Sequence, residues 1–555
     1  MFKKTKEPQL DIFSSPSGLF SGKSQRIYDD EAAWHNQFRQ QVTLRIDENI
    51  FKPLYSSDNG TPNASVRLLI SMMVLKEAEG LSDQKLFENC RFNMLTRSAI
   101  GLLNANASIP TESTYYLFRK RIMDYANAGN ANLLEAAFAQ VTKGQCVDFE
   151  VSGKRIRMDS KLLGSNIAWL SRYELIHETL RLFYNLIKEF GGIDKATTAI
   201  LDELLGTEGY KVVYTCSGDE IKTRLQKLGE LIYHILPLFP NSTEAHYQTL
   251  ERVFNEQFSV DENKIVIGKK NEEITAQSVQ SPHDTDCTYR NKDGNKVKGY
   301  SLNITESCDD GDVLNLIGNI DVRVVSAPDL NFFQHDTDKV QQVFTDKIEN
   351  AHVDGAYHSP DNQQYCKNNT IALHLHAITG PKGRYDLVAS DDKLSITDTL
   401  TNEQIDSIML INNEGIIRWR IKTGNRRGNG YRYFDQKDID TCLIRRKIAQ
   451  TPIEVLQKRN NVEATVFQVG YHYPNDKTRY RGLVKHQMWA NIRCFWVNFV
   501  RIINFIEKTT LKTAFFAIMR FAQRISMSFH SLFDTLTTIC LSGYLLFQKN
   551  QYSCF

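Results

Sequence analysis

The chain lacks several features that would narrow its function at once. Its ten cysteines, at 90, 146, 216, 287, 308, 366, 442, 494, 540 and 554, form no CxxC pair and no Cys/His ligand spacing. That argues against a zinc site or a disulfide framework and fits reduced, mostly buried thiols in a cytosolic protein. Charge of one sign is also missing: 67 basic against 65 acidic residues leave a net charge of +2. The overall balance neither requires nor excludes nucleic acid, so local clustering has to decide. The apolar run TLTTICLSGYLLF (535–547) is short of the roughly 20 residues a membrane helix needs. The start, MFKKTKEPQLDIF, has no apolar core of signal-peptide length, so export is not expected. His352, His358, His374 and His376 lie close in sequence without a recognisable metal spacing, and His358 is the one expected nearest an active site.

What is present is an ordinary globular composition, 41% hydrophobic and 24% charged over 555 residues. That is more than one core usually organises, so two or three domains are expected. Residues 1–60 read as an irregular arm. From Ser65, the apolar Val66, Leu69, Ile70, Met73 and Val74 recur at helical spacing, Gly80 closes the helix, and Ser82 is placed to cap a second. A third begins near Thr111 or Ser113 and carries Arg119, Lys120 and Arg121. These short helices predict an all-helical domain over 61–150, either a DNA reader or a common packing unit.

Near Val151 the pattern changes. KRIRMDS alternates apolar and basic residues and predicts a strand ending at Asp159. Helical periodicity returns over 168–258, predicting a helical insertion over about 168–275. Strands are expected at 296–305, 320–327 and 370–379, with a helix over 338–349 leading into AHVDGAY. This order predicts an α/β fold with a mixed sheet, Asp354 standing at the C-terminal edge of its strand. Residues 506–555 read as a hydrophobic helical tail for packing or dimerisation.

Two stretches concentrate positive charge. Between Ile416 and Phe434 there is no acid, and Arg418, Arg420, Lys422, Arg426, Arg427 and Arg432 interleave with Trp419, Tyr431 and Tyr433. Such a stretch suits phosphates and unpaired bases; a solvated surface, or core burial for Trp419, is the plainer alternative. From Ala464 to Ile506, Asp476 is the single acid against Lys477, Arg479, Arg481, Lys485, Arg493 and Arg501.

Asp159 and Asp354 follow short β-branched runs, and Glu463 sits in a helical pattern four residues after Arg459. Carboxylates converging from strand ends and a helix suit divalent metal. Each has a bland reading: Asp-Ser and Asp-Gly are routine turn pairs, Asp361 rivals Asp354, and Arg459/Glu463 can be an exposed ion pair.

The order of segments adds a resemblance. PNASVRLLISMMVLKEAEGLSDQKLFE, IPTESTYYLFRKRI, MDSKLLGSN, VDGAYHSPDN, RNNVEATVF and YRGLVKHQMWANI follow one another. Over roughly residues 20–500 the chain resembles an insertion-sequence transposase of the acidic-triad (DDE) type. That resemblance implies an InsH-like DNA-binding region over 61–150 and a ribonuclease-H-like catalytic domain over 151–505, a mixed sheet with helices carrying the helical insertion after its first strand. It implies Asp159, Asp354 and Glu463 as catalytic metal ligands for Mg2+ or Mn2+, two ions about 3.5 to 4 Å apart. The partners implied are double-stranded DNA, both inverted-repeat ends and target, and further copies of the chain in a homodimer or larger complex, without a membrane. The implied place is the bacterial cytoplasm, on the nucleoid. DNA contacts are expected from Arg459, from the 418–427 residues named above including Trp419, and from Arg119, Lys120 and Arg121. The family's third-acid pattern is tyrosine, two residues, arginine, three residues, glutamate, six residues, lysine. Arg459 and Glu463 fit it, but Leu456 and Gly470 stand at the tyrosine and lysine positions. Lys477, Arg479, Arg481 or Lys485 is expected to supply the missing phosphate contact. An inactive DNA-binding descendant and a purely hydrolytic nuclease are the competing readings.

Overall fold

The computed structural model describes residues 1–526 except 6–15, 58–59, 105, 241, 293, 379, 381–382, 391–392, 412–415 and 424–429, and its side chains except those of 16, 189–190, 390, 474 and 512–526. Arg426, Arg427 and the tail beyond 526 lie outside the described residues. The chain is α/β, with a helical N-terminal region and a mixed sheet.

Helix Val66–Ala78 is buried on nearly every side, as its apolar sequence requires. The side chains of Ser65 and Ser82 accept from Leu68 N and Lys85 N, capping this helix and Asp83–Phe92. Gly80 turns the chain between them at φ +64°, a conformation that favours glycine. Thr111 rather than Ser113 caps the helix Glu112–Asn127.

The central sheet is built on strand Arg155–Gly164. It pairs antiparallel with Asn295–Ser307 and parallel with Asn350–Val353, which in turn pairs parallel with Ala372–Leu375. Thr288–Lys292 and Ile317–Val324 share the far edge of the 295–307 strand. The first strand does not end at Asp159, as its sequence predicts: the antiparallel ladder continues to Gly164, opposite Gly299. The helix expected over 338–349 is Phe333–Gln341. Beyond it Phe344 turns inward, its ring lying where a Cβ on Gly153 or Gly318 would have to stand.

Five helices between Arg172 and Gln257 pack around a hydrophobic cluster of their own, with capping boxes at Ser171/Glu174 and Ser217/Glu220. A second insertion, after the 372–375 strand, is β-rich and was not expected. It holds two three-stranded sheets sharing a small core of Tyr385, Leu387, Ile396, Ile421 and Phe434. Helix Leu483–Ser526 runs unbroken across position 506, where a separate tail was expected to begin. It joins the N-terminal helices to the sheet: Phe495 meets Phe138 edge-on at 5.3 Å, and Asn498 Oδ1 accepts from Ile317 N at 2.8 Å. Among the described residues no helix is long and apolar enough to cross a membrane.

Candidate active site

Parallel pairing sets Arg157 opposite His352. Two residues further on lie Asp159, still in its strand, and Asp354, the first residue past strand Asn350–Val353. Asp159 accepts from Ser160 N at 2.9 Å, and Asp354 caps the turn 355–357 by accepting from Gly355 N at 2.6 Å. Glu463 lies in the first turn of helix Asn461–Gly470, which packs against the first strand.

Arg459, just before that helix, connects all three acids. Its Nη2 is 3.1 Å from Asp159 Oδ1 and 3.9 Å from Asp354 Oδ2, and its Nη1 is 3.6 Å from Glu463 Oε1. The Asp159 and Arg459 side chains are only 14% and 13% exposed, whereas Glu463 is 65% exposed and forms the rim. Burial raises the Asp159 pKa and the Arg459 guanidinium opposes that, leaving it above the usual carboxylate value. For Arg459 burial lowers the pKa, but Asp159, Asp354 and Glu463 more than reverse it. The arrangement concentrates negative charge around one cation. Asp361, the rival to Asp354, sits exposed in the first turn of helix Pro360–Asn369.

A buried ion cluster below the acids holds this geometry. Glu306 Oε1 accepts from Arg157 Nε at 2.5 Å, and its Oε2 lies 2.7 Å from Arg501 Nη1 and accepts from Thr465 Oγ1 at 2.8 Å. Arg157 also donates to the Lys458 carbonyl at 2.9 Å, fixing the residue before Arg459. Glu306 is fully buried, which raises its pKa, and Arg501 and Arg157 bring it below the ordinary value. Sequence reasoning missed this cluster, because Glu306 reads as one more polar strand residue until its register partner Arg157 is known.

A second polar chain leaves the site through Tyr357, whose hydroxyl donates to Asn303 Oδ1 at 2.5 Å; Asn303 in turn donates to Asp336. Asp336 belongs, with Asp321 and His335, to the one group of three acid or histidine ligand atoms lying mutually within 4.8 Å among the described residues. Asp321 and Asp336 raise the His335 pKa to about 9, so a protonated imidazole offsets part of their charge, and Arg323 pairs with Asp321 as well. His358 contacts Gln363, and His352 stacks on His374 at 4.6 Å. Neither pair includes a contact with the three acids.

The basic residues divide by location. Arg418, Arg420 and Lys422 project from one face of strand Ile417–Lys422, Arg420 lying over the Tyr431 ring at 4.5 Å, with Tyr431 and Tyr433 exposed beside them. Trp419 alternates to the other face and packs, partly buried, against the small β core, in line with the core burial given above as the alternative to a DNA contact. Arg119 is drawn to Asp83 and the Tyr115 ring, Arg121 lies over the Tyr55 ring, and Lys120 pairs with Asp124. Lys477 and Arg481 donate to the carbonyls of Ile167 and Asn166, and Arg479 pairs with Glu77 at 3.0 Å. Arg479 thereby ties its loop to the N-terminal helices. Arg119, Arg479, Arg481 and Lys485 nonetheless share a cavity of about 420 Å³ with Tyr116 and Tyr480. Arg493 is buried against the carbonyls of Val469 and Glu77.

Residues 27–121 match the family model described as Transposase domain (DUF772). This supports a transposase family and a transposase function for the chain. No curated protein and no solved structure gives a significant match.

Proposed function

We propose that this protein is a DDE-type transposase that binds the inverted ends of its insertion sequence, cuts there and joins the ends to target DNA. The observation that carries the reading is the meeting of Asp159, Asp354 and Glu463 on the single guanidinium of Arg459. The mixed sheet, with one antiparallel neighbour on one side of the first strand and two parallel strands on the other, supports a ribonuclease-H-like core. The transposase-domain match over 27–121 supports an InsH-like N-terminal region.

Three carboxylates supply hard oxygen donors and an excess of negative charge, a donor set that fits Mg2+ or Mn2+. When bound there, such ions lower the pKa of an attacking water or 3′-hydroxyl and stabilise the leaving oxygen. Asp159 and Asp354 hold their positions through backbone hydrogen bonds, Glu463 closes the rim, and Arg459 is placed to take a phosphate oxygen once the acids have another cation. The face bearing Arg418, Arg420 and Lys422 gives the DNA backbone a basic track with exposed tyrosines. The active complex is expected to contain at least two copies of the chain.

The deciding experiment is strand transfer with labelled end DNA and magnesium, wild type beside Glu463→Gln. Joining by wild type and its loss in the variant support the reading. Hydrolysis without joining favours a nuclease, and DNA binding without either favours an inactive descendant.

A further inference from the structure

Lys161 lies two residues beyond Asp159 on the first strand, so both side chains leave the same face, about 6.5 Å apart along the strand. Helix Asn461–Gly470 packs over that face, and Glu463 and Gly470, seven residues apart, fall on one side of it, close to two turns from each other. At one end Arg459 bridges Asp159 and Glu463. At the other, a Cβ placed on Gly470 would stand 3.5 Å from Lys161 Nζ. The Lys161 ammonium therefore lies in van der Waals contact with the point from which a side chain at 470 would start, although the two positions are remote in sequence. Its side chain is 20% exposed, and its ion partner is the half-exposed Asp476.

From this we infer that Lys161 holds a DNA phosphate beside the acid cluster, in the space next to Gly470. The inference rests on the transposase reading above. A compact ammonium suits one phosphate oxygen and tolerates delivery from a different element, unlike a bidentate arginine contact. Asp476 holds the ammonium when DNA is absent. An ion pair with a partner this exposed contributes little, so a phosphate displaces that carboxylate readily.

The test uses the full chain as wild type, Lys161→Gln, Asp476→Asn and the double variant Lys161→Gln/Gly470→Lys. The probe is a fluorescent duplex of the DNA bordering the gene, titrated over a salt series. Lys161→Gln should weaken binding on the order of tenfold, the usual effect of removing one charge-assisted hydrogen bond. It should also shrink the salt slope by about 0.9, the value for one phosphate. Asp476→Asn should bind as well as wild type or tighter. Gly470→Lys should restore affinity and slope in the Lys161→Gln background, because its side chain enters the vacated space. Unchanged affinity and slope in Lys161→Gln would overturn the inference. So would an equal loss in Asp476→Asn, which would make the pair a loop brace, or no repair in a folded double variant. Strand transfer by Asp159→Asn reports separately on the acids: if that variant joins ends normally while Lys161→Gln binds weakly, the metal site fails and the phosphate site stands.

Discussion

Asp159 and Asp354 each lie two residues beyond the paired Arg157 and His352, Asp354 as the first residue past its strand, although 195 positions separate them in sequence. Strand pairing brings the two acids near each other, and the Arg459 guanidinium reaches both. Glu463 arrives from helix Asn461–Gly470 and Arg459 from the turn before it, where the Lys458 carbonyl accepts from Arg157 on the same strand.

Asp159→Asn, Asp354→Asn and Glu463→Gln should each lower cleavage and joining by orders of magnitude, since each removes a charge that holds the metal. Binding to end DNA should persist. Because the Asp159 pKa is raised in the fold, its charged form is a burden there, and the linked stability is lost as pH rises through that raised value. Asp159→Asn should consequently keep or raise the melting temperature of the metal-free protein. A large fall would mean the acid holds the fold.

Arg459→Ala leaves three clustered carboxylates without their shared cation. The metal-free protein should lose roughly 1–3 kcal/mol, the cost of stranding partly buried charged groups. Added magnesium should then raise its melting temperature more than it raises that of wild type, measured by thermal shift at constant ionic strength. Equal shifts would place the metal away from Arg459.

Glu306→Gln should cost roughly 3–5 kcal/mol, because Arg157 and Arg501 are left buried without their counter-charge. The folded pKa of Glu306 is depressed, so its contribution is complete above the ordinary carboxylate value and is lost as pH falls through the lower folded one. Urea midpoints followed into acid should show this limb in wild type and a flatter one in the variant.

Reversing Arg418, Arg420 and Lys422 to glutamate should weaken DNA binding and reduce the salt slope by about 0.9 for each phosphate no longer neutralised. Thermal stability should change little through Arg418 and Lys422, which are exposed, and what loss there is should come from Arg420, half-buried over the Tyr431 ring. Trp419→Ala should do the opposite, lowering stability by emptying part of the small β core while leaving the salt slope alone. A steep fall in slope for Trp419→Ala would return that residue to the DNA surface.

Much of this was legible in the sequence, because the signals are local. Ser65, Ser82 and Gly80 mark helix ends through interactions within one turn, and the four-residue spacing of Arg459 and Glu463 places them together on any helix. The order of the acidic segments was likewise readable as a resemblance. Tertiary structure decided which charges are free. Arg157 and Glu306, 149 residues apart, become a buried pair only through strand register, and Arg479 and Arg493 are spent on tying elements together. Charge counting along the chain cannot tell such residues from those facing solvent. The same limit left Trp419 open between DNA and core; a single step of strand alternation sends it into a core formed by residues 34 or fewer positions away. It hid Lys161 too, whose neighbour Gly470 is near only because a helix lies across the strand. Sequence determines what a segment prefers within its own turn or strand. Pairing register and helix docking, set by burial of the whole core, determine which side chains meet.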